Sequence, residues 1–184
     1  MEELEALEKR MEQERPVDWD SLPDLSLYMD QVIGYMSRQL IQYGEGEHLT
    51  SAMVNNYIKD GLLPRAEGKR YSRVHLAYLT AICALKQVLP VKDAGLLAAD
   101  HAEGEPREMY DRFRKELDTA LTETAAHLEV DCPREELPRL ALRMAMRSYA
   151  DKLACQQILE LIRADLPEKP EKSKSKKKRK EPKA

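Results

Sequence analysis

Apolar side chains recur along this chain at helical rather than strand spacing. From Leu49, the residues Met53 and Tyr57 follow at four-residue intervals and Val54 and Ile58 fill the same stripe. Ser51, Asn55, Asn56 and Lys59 take the other side. With Thr50 as N-cap and Gly61 where a helix ends in a left-handed residue, the spacing predicts a short helix over about 50–60. Leu27, Tyr28, Val32, Ile33, Tyr35, Met36, Leu40 and Ile41 predict a longer one over Asp24–Tyr43. Ser72 opens a third, through about Leu89, with Leu76, Leu79, Ile82, Cys83 and Lys86 on one stripe. Pro90 breaks it, and Val91–Ala99 predicts one more short helix with Leu96 and Leu97 inward.

The ends of the chain follow the same logic. Leu4, Leu7 and Met11 have heptad-like spacing, but two heptads are too few for a coiled coil, so residues 1–23 read as an acidic, fraying helix and a connector anchored by Trp19. His101–Pro106 combines Gly, Pro and acids and reads as a linker. An amphipathic helix over Arg107–Glu129 follows, ended by Val130–Pro133. A longer helix then runs from Arg134 to about Leu166, and its apolar positions spread past a single stripe: Leu137, Leu140, Met144, Tyr149, Leu153, Ile158 and Leu161, widened by Leu142, Met146 and Leu159. Such a helix has two faces to bury, one against the body and one against a second copy of the chain. Residues 167–184, PEKPEKSKSKKKRKEPKA, contain no large apolar residue and read as a disordered Lys-rich tail.

Composition narrows the function classes. Seven glycines and no GxGxxG or GxxxxGK[ST] exclude the common phosphate-cradling loops. No apolar run is long enough to span a bilayer, and the acidic N-terminus lacks a signal peptide's apolar segment, so the expected location is cytoplasmic. Cys83, Cys132 and Cys155 are scattered, with Cys83 on an apolar stripe and Cys132, before Pro133, the one expected to be exposed. The four histidines fall on separate elements. No metal site, cofactor or catalytic constellation is expected.

Net charge is only −3, but it is segregated. Residues 1–46 carry four Lys/Arg against eleven Asp/Glu, and residues 93–166 carry ten against sixteen. Residues 47–92 reverse the balance at seven against three, and the tail at nine against three. Phosphate binding answers to the local field, because screening removes charges beyond about 10 Å. The positive middle block contains Leu62-Leu63-Pro64 and then Arg65-Ala66-Glu67-Gly68-Lys69-Arg70-Tyr71, which reads as a tight hairpin with cations on both sides of a glycine. A polar helix beside a basic flap suits a reader of double-stranded DNA. Ser51, Asn55 and Asn56 would address base edges. Thr50, Lys59, Arg65, Lys69, Arg70, Tyr71 and Arg73 would meet the backbone, with Tyr57 and Tyr71 read as packing residues whose hydroxyls point outward.

The runs NNYIKDGLLP, KRYSRVHLAYLTAI and LKQVLPVKDAGLLA resemble the MerR-type winged helix-turn-helix, in which a Y-x-x-x-G-L-L-P helix end precedes a wing and a Y-S-x-x-x-L helix. More narrowly they resemble a bacterial family, a domain of unknown function, that carries such a module in an all-helical protein. The resemblance covers roughly residues 24–100. It implies an all-α fold with a small β-hairpin wing, a C-terminal helical extension at 107–166, and a DNA-binding transcriptional regulator acting as a homodimer. This chain departs from the MerR pattern in a longer turn over Tyr43–His48, a shorter wing, and Ala52 and Asn55 where arginines are usual. Those departures and the acidic flanks leave an alternative open: a protein–protein adaptor on a winged-helix scaffold that no longer touches DNA. The tail's KKKRK reads as a solubilising end or as an arm with sequence-independent affinity for nucleic acid.

Overall fold

The computed structural model describes residues 2–40, 48–99 and 105–165. The chain divides into two compact units, 1–145 and 146–184. Among the described residues the fold is all-α: α1 (Glu2–Gln13), α2 (Met29–Met36), α3 (Ser51–Lys59), α4 (Arg73–Leu85), α5 (Val91–Ala99), α6 (Pro106–Ala126) and α7 (Leu137–Asp165), with a 3-10 turn at Arg134–Glu136. No described helix is long and apolar enough to cross a membrane. The expected linker over His101–Pro106, the turn over Tyr43–His48 and the tail lie largely or wholly outside the described residues.

The first unit is built around α4. Its sequence RVHLAYLTAICAL is apolar on every side, and His75, Leu76, Ala77, Leu79, Thr80, Ala81 and Ile82 are all buried. A helix without a polar face must be covered from several directions, and α2, α5 and α6 all pack on it. Thr80, fully buried, donates its hydroxyl proton to the Leu76 carbonyl at 2.8 Å. That bond removes the cost of placing a hydroxyl in the core.

The connector between α1 and α2 is held against α6. The Tyr110 hydroxyl donates to the Val17 carbonyl at 2.8 Å, and Arg114 Nε donates to the Pro16 carbonyl at 3.1 Å. Arg107 makes a two-point contact with the Asp20 carboxylate at 3.1 and 2.7 Å. The Tyr110 ring is wholly buried, with Trp19 and Phe113 rings each 6.2 Å away. Burial pushes the Tyr110 hydroxyl up to about 12. Trp19 thus anchors the connector as its type suggests. α1 also packs on α6, and Arg15 pairs with Asp118 at 2.5 Å.

Three elements differ from the sequence-based expectation. Of the helix expected over Asp24–Tyr43, whose last three residues lie outside the described ones, Met29–Met36 is formed. The reason lies upstream, where Leu27 exchanges two backbone hydrogen bonds with Tyr71 at 2.9 and 2.8 Å, which holds the segment before Met29 extended. At its other end the helix loosens into three-residue bonds, Arg38 to Tyr35 and Gln39 to Met36. The hairpin wing is also not seen, and no strand forms among the described residues. Only Glu67 and Arg70 pair, across Gly68 (φ 55°) and Lys69 (φ 62°), a two-residue turn with both central residues left-handed. The next ladder bonds would join Ser72 to Arg65. The Ser72 N–H instead donates to His75 Nδ1 at 3.0 Å in capping α4, while Tyr71 turns its backbone groups the other way, to Leu27. Finally, Cys132 is buried rather than exposed, because the turn after α6 folds it inward, with its N–H on the Glu129 carbonyl at 2.9 Å.

α5 forms where expected, but its inward face is Ala94, Gly95 and Ala98, while Leu96 and Leu97 are half-buried. Small residues let this helix approach closely. A Cβ at Gly95 would lie 2.1 Å from Leu62 Cδ2. In the second unit, α7 leaves Met146, Tyr149, Leu153, Ile158 and Leu161 exposed.

Gly95→Ala sets the gain of alanine in a helix, about 1 kcal/mol, against overpacking on Leu62, about 1–3 kcal/mol. The expected result is a net loss of about 1 kcal/mol in the wild-type background. In a Leu62→Ala background the same change should stabilise by about 0.5–1 kcal/mol. Urea unfolding of the four proteins measures the sign reversal.

Candidate nucleic-acid interface

α3 is specified locally. Thr50 is extended at φ −115°, ψ 158°, and its hydroxyl oxygen accepts the Met53 N–H at 3.3 Å, an N-cap bond. Gly61, at φ 78°, takes the left-handed conformation that ends the helix. Val54 and Tyr57 are buried, Leu49, Met53 and Ile58 pack against the core, and Ser51, Ala52, Asn55, Asn56 and Lys59 are exposed. The apolar and polar faces therefore divide as the spacing predicts.

The segment after α3 is pinned at both ends. The Leu62 and Leu63 N–H groups both reach the Tyr57 carbonyl, at 2.8 and 3.2 Å, and Leu63 is buried. At the far end the Leu27–Tyr71 bonds close the segment against the residues before α2. Beneath it lies His75, buried, with its ring edge-on to Tyr71 at 5.4 Å. Its Nδ1 accepts the Ser72 N–H, so in the neutral ring Nε2 carries the proton, and Nε2 is buried without a hydrogen-bond partner among the described residues. Burial lowers the His75 pKa, while the carbonyls of Arg65 and Pro64 and the Glu67 carboxylate oppose the shift.

Four cations expected to meet phosphates, Lys59, Arg65, Lys69 and Arg70, are exposed. Arg70 is held in place: its Nη2 donates to the Tyr28 hydroxyl at 3.0 Å, and its guanidinium carbon lies 4.9 Å from the Tyr28 ring centroid. Cation–π contact at an exposed site contributes about 0.5–1 kcal/mol, enough to bias one rotamer. Lys69 sits at the turn's apex in a backbone conformation that disfavours side chains, an unusual place for a non-glycine residue.

Two expected contact residues are placed differently. Tyr71 is 5% exposed, a core residue whose backbone does the work of closing the loop. Arg73 is half-buried, with its guanidinium carbon 5.9 Å from the Trp19 ring centroid and a buried Nε that has no hydrogen-bond partner among the described residues. Arg73 thus braces the connector rather than facing solvent. Thr50 is exposed and caps α3 as expected, its hydroxyl oxygen accepting from Met53 while its O–H remains a donor.

Two residues that organise this surface, Tyr28 and His75, were not singled out from the sequence. Each bears the spacing between an N-cap and the third helical residue. Gln31 Oε1 accepts the Tyr28 N–H at 2.9 Å, and His75 plays the same part for Ser72. That spacing is a legible signal once helix starts are known.

A family model described as "Domain of unknown function (DUF1836)" matches residues 17–113. No curated protein and no solved structure matches the chain. The family match begins in the connector and ends in the first third of α6. It takes in α2–α5, the turn at 67–70, and the Val17, Trp19 and Tyr110 contacts that bind connector to α6.

Because the His75 pKa is lowered in the folded state, the unfolded chain binds more protons near pH 6 and stability rises with pH there. The contribution is complete above the ordinary histidine value of about 6.5 and is lost as pH falls through the lower folded value. Urea unfolding between pH 7.5 and 5 should show the wild type losing more stability than His75→Gln, whose amide can accept from Ser72 without titrating. Parallel pH dependences would reject the assignment.

Proposed function

We propose that this chain, which belongs to the family described as a domain of unknown function (DUF1836), is a sequence-specific DNA-binding transcriptional regulator. The observation that carries the reading is a pairing of two exposed polar surfaces adjacent in the chain. α3 presents Ser51, Asn55 and Asn56 outward, and within a dozen residues a pinned turn presents Arg65, Lys69 and Arg70. Asparagine amides can pair with the adenine edge in the major groove, and cations on a pre-formed turn contribute phosphate contacts at little ordering cost. With alanine at 52 and asparagine at 55, this helix reads adenine rather than guanine.

Such a reader gains a second half-site by pairing with a second copy. In α7, Met146, Tyr149 and Leu153 are spaced by three and four residues and are respectively 54, 59 and 46% exposed. A stripe of that spacing suits helix-to-helix packing between two copies. Static light scattering at tens of micromolar should give a dimer mass, and Tyr149→Glu/Leu153→Glu should return the monomer. A monomeric wild type would remove the second-copy claim and leave the DNA reading standing.

DNA binding is tested on a duplex carrying a site selected in vitro, with a random duplex as control. The full chain and the chain ending at Leu166 are compared. Each phosphate contact adds about 0.9 to the slope of log affinity against log salt. Lys69→Ala/Arg70→Ala should therefore flatten that slope by about two units in both lengths of chain. Asn55→Ala should erode the preference for the selected site by about 1–3 kcal/mol. Slopes unchanged by the double variant and abolished by removal of the tail would reject the interface. That outcome favours the adaptor reading, to which the exposed apolar residues of α7 also lend support.

A further inference from the structure

A cleft of about 460 Å³ opens in the first unit, away from α3 and the basic turn. Its walls come from the end of α1 and the connector, the residues just after α2, the end of α4 and the turn after it, and the middle of α6. Pro16, Leu40, Ala84, Leu117 and Leu121 line it with carbon. The volume falls in the range of small-molecule sites, about 300–1,000 Å³.

One wall residue is out of keeping with a merely empty gap. Gln39 is 6% exposed, yet its Oε1 is buried and accepts no hydrogen bond among the described residues. Its amide interacts with the Tyr35 hydroxyl, and Oε1 is the end left without a partner. A buried acceptor without a donor costs about 1–3 kcal/mol, and folded proteins rarely leave one so. Beside it Arg38 is exposed at the rim and forms no ion pair among the described residues. The other charges at the cleft are already neutralised. Glu14 is held ionised by Arg10 at 2.7 Å, and Arg15 is tied to Asp118.

We propose that this cleft is a binding site for an amphipathic hydroxy acid. The carboxylate pairs with Arg38, a hydroxyl close to it donates to Gln39 Oε1, and an alkyl chain lies on Leu40, Ala84, Leu117 and Leu121. The proposal does not rest on the DNA reading, because the cleft shares no residue with α3 or the turn at 67–70.

The probes are 3-hydroxydecanoate and decanoate, titrated calorimetrically below their micellar concentrations into the full-length chain. The hydroxy acid should bind about tenfold more tightly, the free energy of one satisfied buried acceptor. Gln39→Leu should abolish the difference between the two acids, and Arg38→Gln should weaken both alike. Ala84→Phe, which fills the cleft from α4, should abolish binding of both. Leu121→Trp does the same from α6 if Ala84→Phe fails to fold by circular dichroism. Absence of binding at millimolar concentration would overturn the proposal, since water would then suffice for Gln39. Equal affinity for the two acids, or binding that survives the cleft-filling variants and so belongs to the apolar stripe of α7, would overturn it as well.

Discussion

The reciprocal pair of backbone hydrogen bonds between Leu27 and Tyr71 is the constraint from which the shape of the exposed polar surface follows. It joins residues 44 positions apart, so its formation closes a long loop whose ordering has to be offset by burial around it. The buried Tyr71 ring, His75 against its face and Leu63 on the other side of the turn supply that burial. The same two bonds decide two local outcomes. They hold the segment ahead of α2 extended and bring Tyr28 to Arg70. A turn held in this way offers its cations in a narrow set of directions.

Around that closure the first unit follows from one helix with no polar side. α4 needs cover on all faces, and the chain returns to it through α2, α5 and α6. The cover is of different kinds. α5 turns Ala94 and Ala98 inward with Gly95 set against Leu62, whereas α6 reaches inward with Met109 and Tyr110. Tyr110 extends the core outward to the connector by a single hydroxyl, and Arg107 and Arg114 repeat that attachment in charge and in hydrogen bonds. Polar groups on α6 thus do for the connector what apolar area does for α4.

The distribution of unsatisfied polar groups separates structure from function. Most buried polar atoms of the first unit have an evident partner, as with Thr80 on the Leu76 carbonyl. Gln39 is different, because its orphaned oxygen borders a cleft rather than packed carbon. Arg73 Nε and His75 Nε2 are also buried without a hydrogen-bond partner among the described residues, but neither borders the cleft: the Arg73 guanidinium lies by the Trp19 ring and the His75 ring packs against Tyr71. On the outside, the amides of Asn55 and Asn56 and the cations of Lys59, Arg65 and Lys69 face solvent. A ligand can exploit groups of the first and last kinds, since neither has to break an internal bond to receive it.

Helix existence and the partition of apolar from polar faces were legible along the chain. α3, with its Thr50 cap and Gly61 stop, and α5 lie within a residue of where periodicity puts them, because caps and 3.6-residue spacing are local properties. The exposure of Ser51, Asn55, Asn56 and Lys59 followed from the same arithmetic. What periodicity could not supply was competition between distant segments for the same backbone groups. The helical pattern of residues 24–28 lost to pairing with Tyr71, and the hairpin pattern of residues 65–72 lost to the capping of α4 by Ser72. The seat of Arg70 on Tyr28 and the cleft beside Gln39 likewise join residues far apart in the chain. The sequence by itself thus determined the helices, their faces and the block of positive charge. Tertiary structure alone decided which cations stand free of the core and where an unpaired acceptor meets a cavity, because both depend on contacts that no local spacing encodes.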